Sequence, residues 1–149
     1  MQKEIKNEWV YEQSPKKVWE YLTNAELIAS WLMPNNFKPM LGQEFQFRAK
    51  PIPSLDLDGV FHCTVLEIVP FKKLTYSWKG GSGNGVFTLD TVVEWTLEKY
   101  GNGTKLFLKQ SGFKETNLAI FTAMTNGWQT NIQKMIDHLN ATHDDKTNV

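Results

Sequence analysis

The sequence predicts an α+β domain, in which a run of antiparallel strands is followed by one long C-terminal helix and two short helices come after the first strand. Three observations predict it. From Phe121 the apolar residues recur at Met124, Trp128, Ile132, Met135, Ile136 and Leu139, the three-and-four spacing of a helix with one buried stripe. Period-two apolar runs fill the middle of the chain, and the turns between them are short enough to require antiparallel neighbours. Between the first such run and the rest, Ser14-Pro15 opens a helical segment, because a serine before a proline at the first helical position is a helix start.

The first strand is expected over Ile5 to Glu12, with Ile5, Trp9 and Tyr11 on one side. After Ser14-Pro15, the residues Val18, Trp19, Tyr21 and Leu22 give a short apolar helix ending near Thr23-Asn24, and a second short helix runs from Ala25 to Leu32, closed by Pro34. Strands then follow over Glu44 to Ala49, Val60 to Val69, Lys73 to Lys79, Thr88 to Lys99 and Thr104 to Ser111. Asp58-Gly59 opens a strand, Pro70-Phe71-Lys72 makes a tight turn and Tyr100-Gly101-Asn102-Gly103 makes a hairpin. Pro51 to Asp58 is a longer loop, and Lys79 to Gly85 is a glycine-rich hairpin tip. The last strand runs into the helical segment from about Lys114 to Asn140. The polar tail over 141–149 is expected to fray.

No repeat, linker or second composition breaks this order, so residues 1–149 read as one domain with its core at about 3–140. A chain of this length buries roughly 68–70% of its unfolded surface, enough for a core without disulfides or metals. Lys+Arg and Asp+Glu cancel at 16 each, which argues against a nucleic-acid or anionic-membrane surface, since both need clustered basic charge. Aromatic residues reach 13%, and such side chains serve either a large core or an apolar ligand site. Cys63 is the single cysteine, in an apolar-alternating stretch, and reads as a small buried hydrophobe. The charged start Met1-Gln2-Lys3-Glu4-Ile5-Lys6 lacks a signal-peptide core, and no run approaches a membrane span, so the expectation is a cytoplasmic soluble protein without membrane insertion.

Chemistry-bearing motifs fail one by one. His62 has no second histidine at metal spacing, and His138 and His143 fall in the terminal helix and tail, so no metal site is expected. Asp56-Leu57-Asp58-Gly59 with Glu67 resembles a calcium loop in outline, but the required glycine is Phe61. The glycine-rich run at Lys79 lacks the closing Gly-Lys-Ser/Thr and precedes a strand rather than a helix, which removes a phosphate cradle. No Gly-x-Ser-x-Gly or His-Glu-x-x-His occurs; Glu94, out of phase with Val93 and Trp95, reads as solvated, and Glu67 as a surface or turn-stabilising residue rather than an acid. No catalytic residue and no cofactor is assigned.

The order of elements, with Ser14-Pro15-Lys16-Lys17-Val18-Trp19, Leu22-Thr23, Ile28-Ala29-Ser30-Trp31, Val65-Leu66-Glu67-Ile68-Val69-Pro70, Leu74, Tyr76-Ser77-Trp78, Thr104-Lys105-Leu106, Ser111-Gly112-Phe113 and Gly127-Trp128, resembles the START-like (SRPBCC) helix-grip superfamily. Within it, the chain is similar to the branch named after the C-terminal domain of the activator of the heat-shock protein 90 ATPase. The resemblance spans roughly residues 3–140 and implies a curved antiparallel sheet of about six to seven strands wrapped around the C-terminal helix, with an apolar cavity between them.

Alternation then turns Leu74, Tyr76 and Trp78 inward, with Val93, Trp95 and Leu97 on the next strand and Leu106, Leu108 and Gln110 on the last. Gln110 is either satisfied by the protein or a polar anchor for a ligand; the resemblance implies histidine here in many relatives, so glutamine removes a titratable group. The expected ligand-binding residues are Trp31, Tyr76, Trp78, Trp95, Leu108, Gln110, Met124 and Trp128. The leading function is a carrier or sensor of a small apolar, aromatic or lipid-like molecule. A chaperone-interacting module is implied by the family name only and ranks lower, because ATPase activators join this domain to a separate chaperone-binding domain for which 149 residues leave no room. A cyclase- or dehydratase-like enzyme would need a polar cluster inside the cavity.

Overall fold

In the computed structural model, which describes the backbone of residues 3–147 and the side chains of residues 3–141, six strands form one curved antiparallel sheet. They are β1 (Lys3–Tyr11), β2 (Glu44–Arg48), β3 (Val60–Val69), β4 (Lys73–Gly80), β5 (Leu89–Tyr100) and β6 (Gly103–Phe113). Their order across the sheet is β1-β6-β5-β4-β3-β2, so the chain makes one long crossing, from β1 on one edge to β2 on the other. The helices α1 (Pro15–Thr23) and α2 (Ala25–Trp31) carry that crossing, and α3 (Leu118–Thr147) lies over the inner face.

Local chemistry explains the breaks. Ser14 caps α1, with Oγ accepting from Lys17 N at 3.4 Å and Pro15 at the first helical position. Asn24 serves two helices: its N–H donates to Glu20 O at 2.9 Å, ending α1, and its Oδ1 accepts from the N–H groups of Glu26 and Leu27 at 3.0 and 3.1 Å, starting α2. Gly103 faces the carbonyl of Tyr11 so closely that a Cβ there would sit 2.0 Å from it; only glycine lets β6 approach the end of β1.

Strand alternation sorts the two faces as expected. Leu74, Tyr76 and Trp78 on β4, Val93, Trp95 and Leu97 on β5, and Leu106, Leu108 and Gln110 on β6 are all buried. His62 points outward, while Phe61, Cys63 and Val65 fill the inner face of β3. On the outer face Lys73 bridges Glu67 and Glu94 at 3.0 Å each, so both carboxylates are surface ion-pair partners.

The C-terminal segment departs from expectation at its start and end. The helix begins at Leu118 rather than near Lys114, because Asn117 organises a 3-10 turn: its Oδ1 accepts from Lys114 N at 2.9 Å and its Nδ2 donates to Thr88 O at 2.9 Å. Gly112, at φ +106, lets β6 continue to Phe113 first. The backbone of α3 is helical to Thr147, beyond the expected end at Asn140, whereas the expected fraying falls largely on side chains outside the described residues. Trp128, Ile132, Met135 and Leu139 carry the buried stripe. Gln13 ties its far end, donating to Leu139 O at 3.3 Å and Asn140 Oδ1 at 3.1 Å.

Candidate functional site

Inward positions of β2 to β5 carry aromatic rings, and these rings meet edge to face, the arrangement that sets a positive ring edge against a negative ring face. Phe45 meets Tyr76 at 5.3 Å between centroids, Trp31 of α2 meets Trp95 at 6.0 Å, and Trp128 of α3 meets both Trp78 at 5.7 Å and Trp95 at 5.5 Å. Phe47 stacks on Trp78 at 4.9 Å. Trp128 is therefore the point at which the helix grips the sheet.

Beneath the rings a short polar relay is closed by the protein itself. Trp128 Nε1 donates to Gln110 Oε1 at 2.9 Å; Gln110 Nε2 donates to Thr91 Oγ1 at 3.0 Å; and Thr91 Oγ1 donates to Trp78 O at 2.9 Å. Met124 Sδ lies 3.6 Å from the same amide nitrogen. Both ends of the Gln110 amide are thus engaged, in a residue with no solvent exposure, and its role here is to fasten α3 to β6 and β5. Trp95 Nε1 donates to Tyr76 Oη at 2.9 Å, and burial pushes the Tyr76 hydroxyl pKa up, keeping it neutral. Trp31 Nε1 donates to Tyr21 O at 2.8 Å. Burial likewise raises the Cys63 thiol pKa, which leaves it an inert core group.

Above this filled layer the helix and sheet diverge around a cavity of about 210 Å3. Its walls are Leu32 and Met33 at the end of α2; Ala49, Ile52, Leu55 and Leu57 from the loop between β2 and β3; Phe61 and Trp78 from the sheet; and Ile120, Ala123, Met124, Gly127, Trp128 and Asn131 from α3. None of these side chains ionises. The loop wall is held in shape by reciprocal backbone bonds between Ile52 and Leu57, at 2.9 and 3.2 Å, around a 3-10 turn at Pro53–Leu55. A second tie, from Asp58 N to Gly81 O at 2.8 Å, fixes it to the hairpin beyond β4. A broader depression on the outer face, edged by Lys6, Glu8, Glu94 and Lys109, is open and charged and encloses nothing.

Of the eight residues expected at a ligand site, Trp78, Met124 and Trp128 line the cavity. Trp31, Tyr76, Trp95, Leu108 and Gln110 do not; they form the packed layer behind it. The loop wall and Gly127 went unassigned, although both left a trace in the sequence. Ile52, Leu55 and Leu57 are three apolar residues in a segment with no strand or helix pattern, and Ile120, Ala123, Gly127 and Asn131 share a helical face with Met124 and Trp128. Among the described residues no cluster of His, Cys, Asp or Glu could hold a metal ion, and no helix is long and apolar enough to cross a membrane.

A curved antiparallel sheet closed by a long helix over an apolar cavity defines the helix-grip class. The family model described as Activator of Hsp90 ATPase homolog 1-like protein matches residues 12–140, and the chain belongs to that family. Among solved structures, it is similar to protein MLL2253 from Mesorhizobium loti, with 33% identity, a TM-score of 0.83, and coverage of 94% of this chain and 98% of that one. It also shares its fold with the Aha1 protein from Colwellia psychrerythraea, whose solution structure is a dimer, at 20% identity and a TM-score of 0.73, covering 91% of this chain and 94% of that one. CalU16 from Micromonospora echinospora has the same fold at 21% identity and a TM-score of 0.69, with 89% and 73% of the two chains covered. A search of curated proteins found no match.

Proposed function

We propose that the protein binds a small apolar or aromatic molecule in the cavity between the sheet and α3, as a carrier or sensor. One observation carries the reading: the space is walled by aliphatic and aromatic side chains from four separate parts of the chain, with the Asn131 amide as the one polar side chain among them apart from the indoles. Such a space rewards burial of apolar surface, at roughly 25 cal/mol per Å2 removed from water, and a few polar groups then set orientation. With no ionisable group on its walls, the cavity suits binding better than acid–base chemistry. The volume of about 210 Å3 lies below the ~300–1,000 Å3 usual for ligand pockets, which favours a ligand of one or two rings over a long-chain lipid.

Native mass spectrometry of freshly purified protein, followed by denaturing extraction, tests this. The expected result is a retained apolar molecule at one-to-one stoichiometry. Binding in solution is read from the fluorescence of Trp78 and Trp128, which form part of the wall. A protein that emerges empty, with fluorescence unchanged by a panel of small aromatic compounds and lipids, would overturn the reading and turn attention to a protein partner.

A further inference from the structure

We propose that Gly127 sets which molecules the cavity accepts: a flat ligand of two fused rings lies with one ring against the bare backbone of α3 at this residue. This rests on the reading of the cavity as a ligand site and names the ligand more narrowly. A glycine inside a helix is less favourable than any residue but proline, so its presence there calls for a reason. The chain has 10 glycines. Six adopt positive φ, where a side chain is strained, and at Gly80, Gly81 and Gly103 an added Cβ would crowd Phe61, Val86 or Tyr11. Gly127 has neither reason: its φ is not positive, and a Cβ built on it meets no atom within 4 Å.

The helix itself gives the direction of that open space. Ile120, Met124 and Asn131 line the cavity, and with Gly127 among them they follow one another at spacings of four, three and four, which places all of them on one face of α3. Gly127 lies at the middle of this face and lines the cavity too, so the volume its missing side chain leaves belongs to the cavity. Phe61 and Trp128 stand among the other walls, an aromatic lining that suits a ring. A dry apolar cavity of ~150 Å3 holds a single benzene. At about 210 Å3 this one has room beyond that, and the uncovered backbone at Gly127 supplies part of it.

Naphthalene and benzene, two rings and one, make the probe pair, titrated into 15N-labelled wild type and Gly127→Ala with thermal melts alongside. The expected result is that wild type binds naphthalene and that Gly127→Ala weakens it about 10-fold or more, the effect of one methylene-sized group in an apolar pocket, while benzene changes less than about threefold. The melts should show the alanine variant at least as stable as wild type, so that lost binding is not lost folding. Asn126→Ala, at the exposed residue beside Gly127, raises helix propensity without reaching the cavity and should leave both affinities unchanged. Naphthalene bound as tightly by Gly127→Ala as by wild type, or weakened no more than benzene, would overturn the role of Gly127 and leave the apolar cavity standing. An equal loss in Asn126→Ala would overturn it as well and assign the effect to helix stiffness. Wild type that binds benzene and not naphthalene would overturn the two-ring ligand. Binding of neither compound would remove the cavity reading and this proposal with it.

Discussion

Replacing Gln110 by leucine separates the two things this residue does, filling space and engaging polar groups. Leucine keeps a side chain of comparable bulk on the inner face of β6 but supplies no acceptor for Trp128 Nε1, which the glutamine engages at 2.9 Å. That indole belongs to a residue only 2% exposed, so water reaches it poorly and the unpaired donor keeps its desolvation cost. Thr91 loses less, because its hydroxyl still donates to Trp78 O at 2.9 Å. The expected loss is therefore that of one buried unsatisfied donor, about 1–3 kcal/mol. With a urea m-value of about 2 kcal/mol/M, the midpoint falls by roughly 0.5–1.5 M. Urea titration followed by far-ultraviolet circular dichroism measures it, and the double variant with Trp128→Phe supplies the control. Once the donor is gone, Gln110→Leu should cost clearly less than it does in the wild type, with a coupling of about 0.5–3 kcal/mol. If Gln110→Leu is as stable as the wild type, or costs the same with and without the indole, the relay does not fasten the helix as argued.

Three further outcomes follow from the same structure. Gly127 lies inside α3 on the cavity wall, and a Cβ added there meets no atom within 4 Å; Gly127→Ala should therefore stabilise the protein by about 0.5–1 kcal/mol in thermal or urea melts, while on the proposed function Gly127→Phe should abolish retention of an apolar molecule in native mass spectrometry, and a destabilising alanine would contradict the open space. Alkaline pH should weaken the fold, because burial raises the pKa of Tyr11 and Tyr76 above the ordinary 10.0 and that of Cys63 above the ordinary 9.0. Each folded-state pKa exceeds its unfolded value, so the contribution is complete below the ordinary value and is lost as pH climbs through it towards the folded one. The unfolding free energy from urea titrations should hold steady in the neutral range and then decline by up to about 1.4 kcal/mol per pH unit for each group; a value still flat at about pH 11 would refute buried, neutral phenols and thiol.

The sheet was legible because its period is two and one face is buried: alternation placed Leu74, Tyr76 and Trp78 on the inner face of β4, Val93, Trp95 and Leu97 on that of β5, and Leu106, Leu108 and Gln110 on that of β6. The first short helix was legible from Ser14-Pro15 and the second from its close at Pro34, whereas the Asn24 cap that starts the second is a contact only the structure gives. The start of α3 was not, since what delays it is Asn117 reaching the carbonyl of Thr88, a contact 29 residues away in the chain that no local pattern encodes. The site was legible in part for a related reason. Alternation tells which residues point inward and says nothing of depth, so Trp95, Leu108 and Gln110, which pack beneath Trp128, looked equivalent to Trp78, which meets the empty space. Depth is set by where the loop from Ala49 to Leu57 holds away from α3, and that depends on bonds such as Asp58 N to Gly81 O between distant segments.

The pairing of β1 with β6 has a consequence for the chain as it is made. Lys3 lies opposite Phe113, so the first strand leaves the ribosome long before its partner exists. At 5–20 residues per second that wait lasts roughly 5–20 s. Through it β1 presents Ile5, Trp9 and Tyr11 with no sheet to receive them, and the charges at Lys3, Glu4, Lys6 and Glu8, interleaved with those apolar side chains, are what disfavours pairing with a neighbouring nascent chain. The last strand synthesised is thus the one that gives the first its place, and the sheet cannot be completed until β6 has been made.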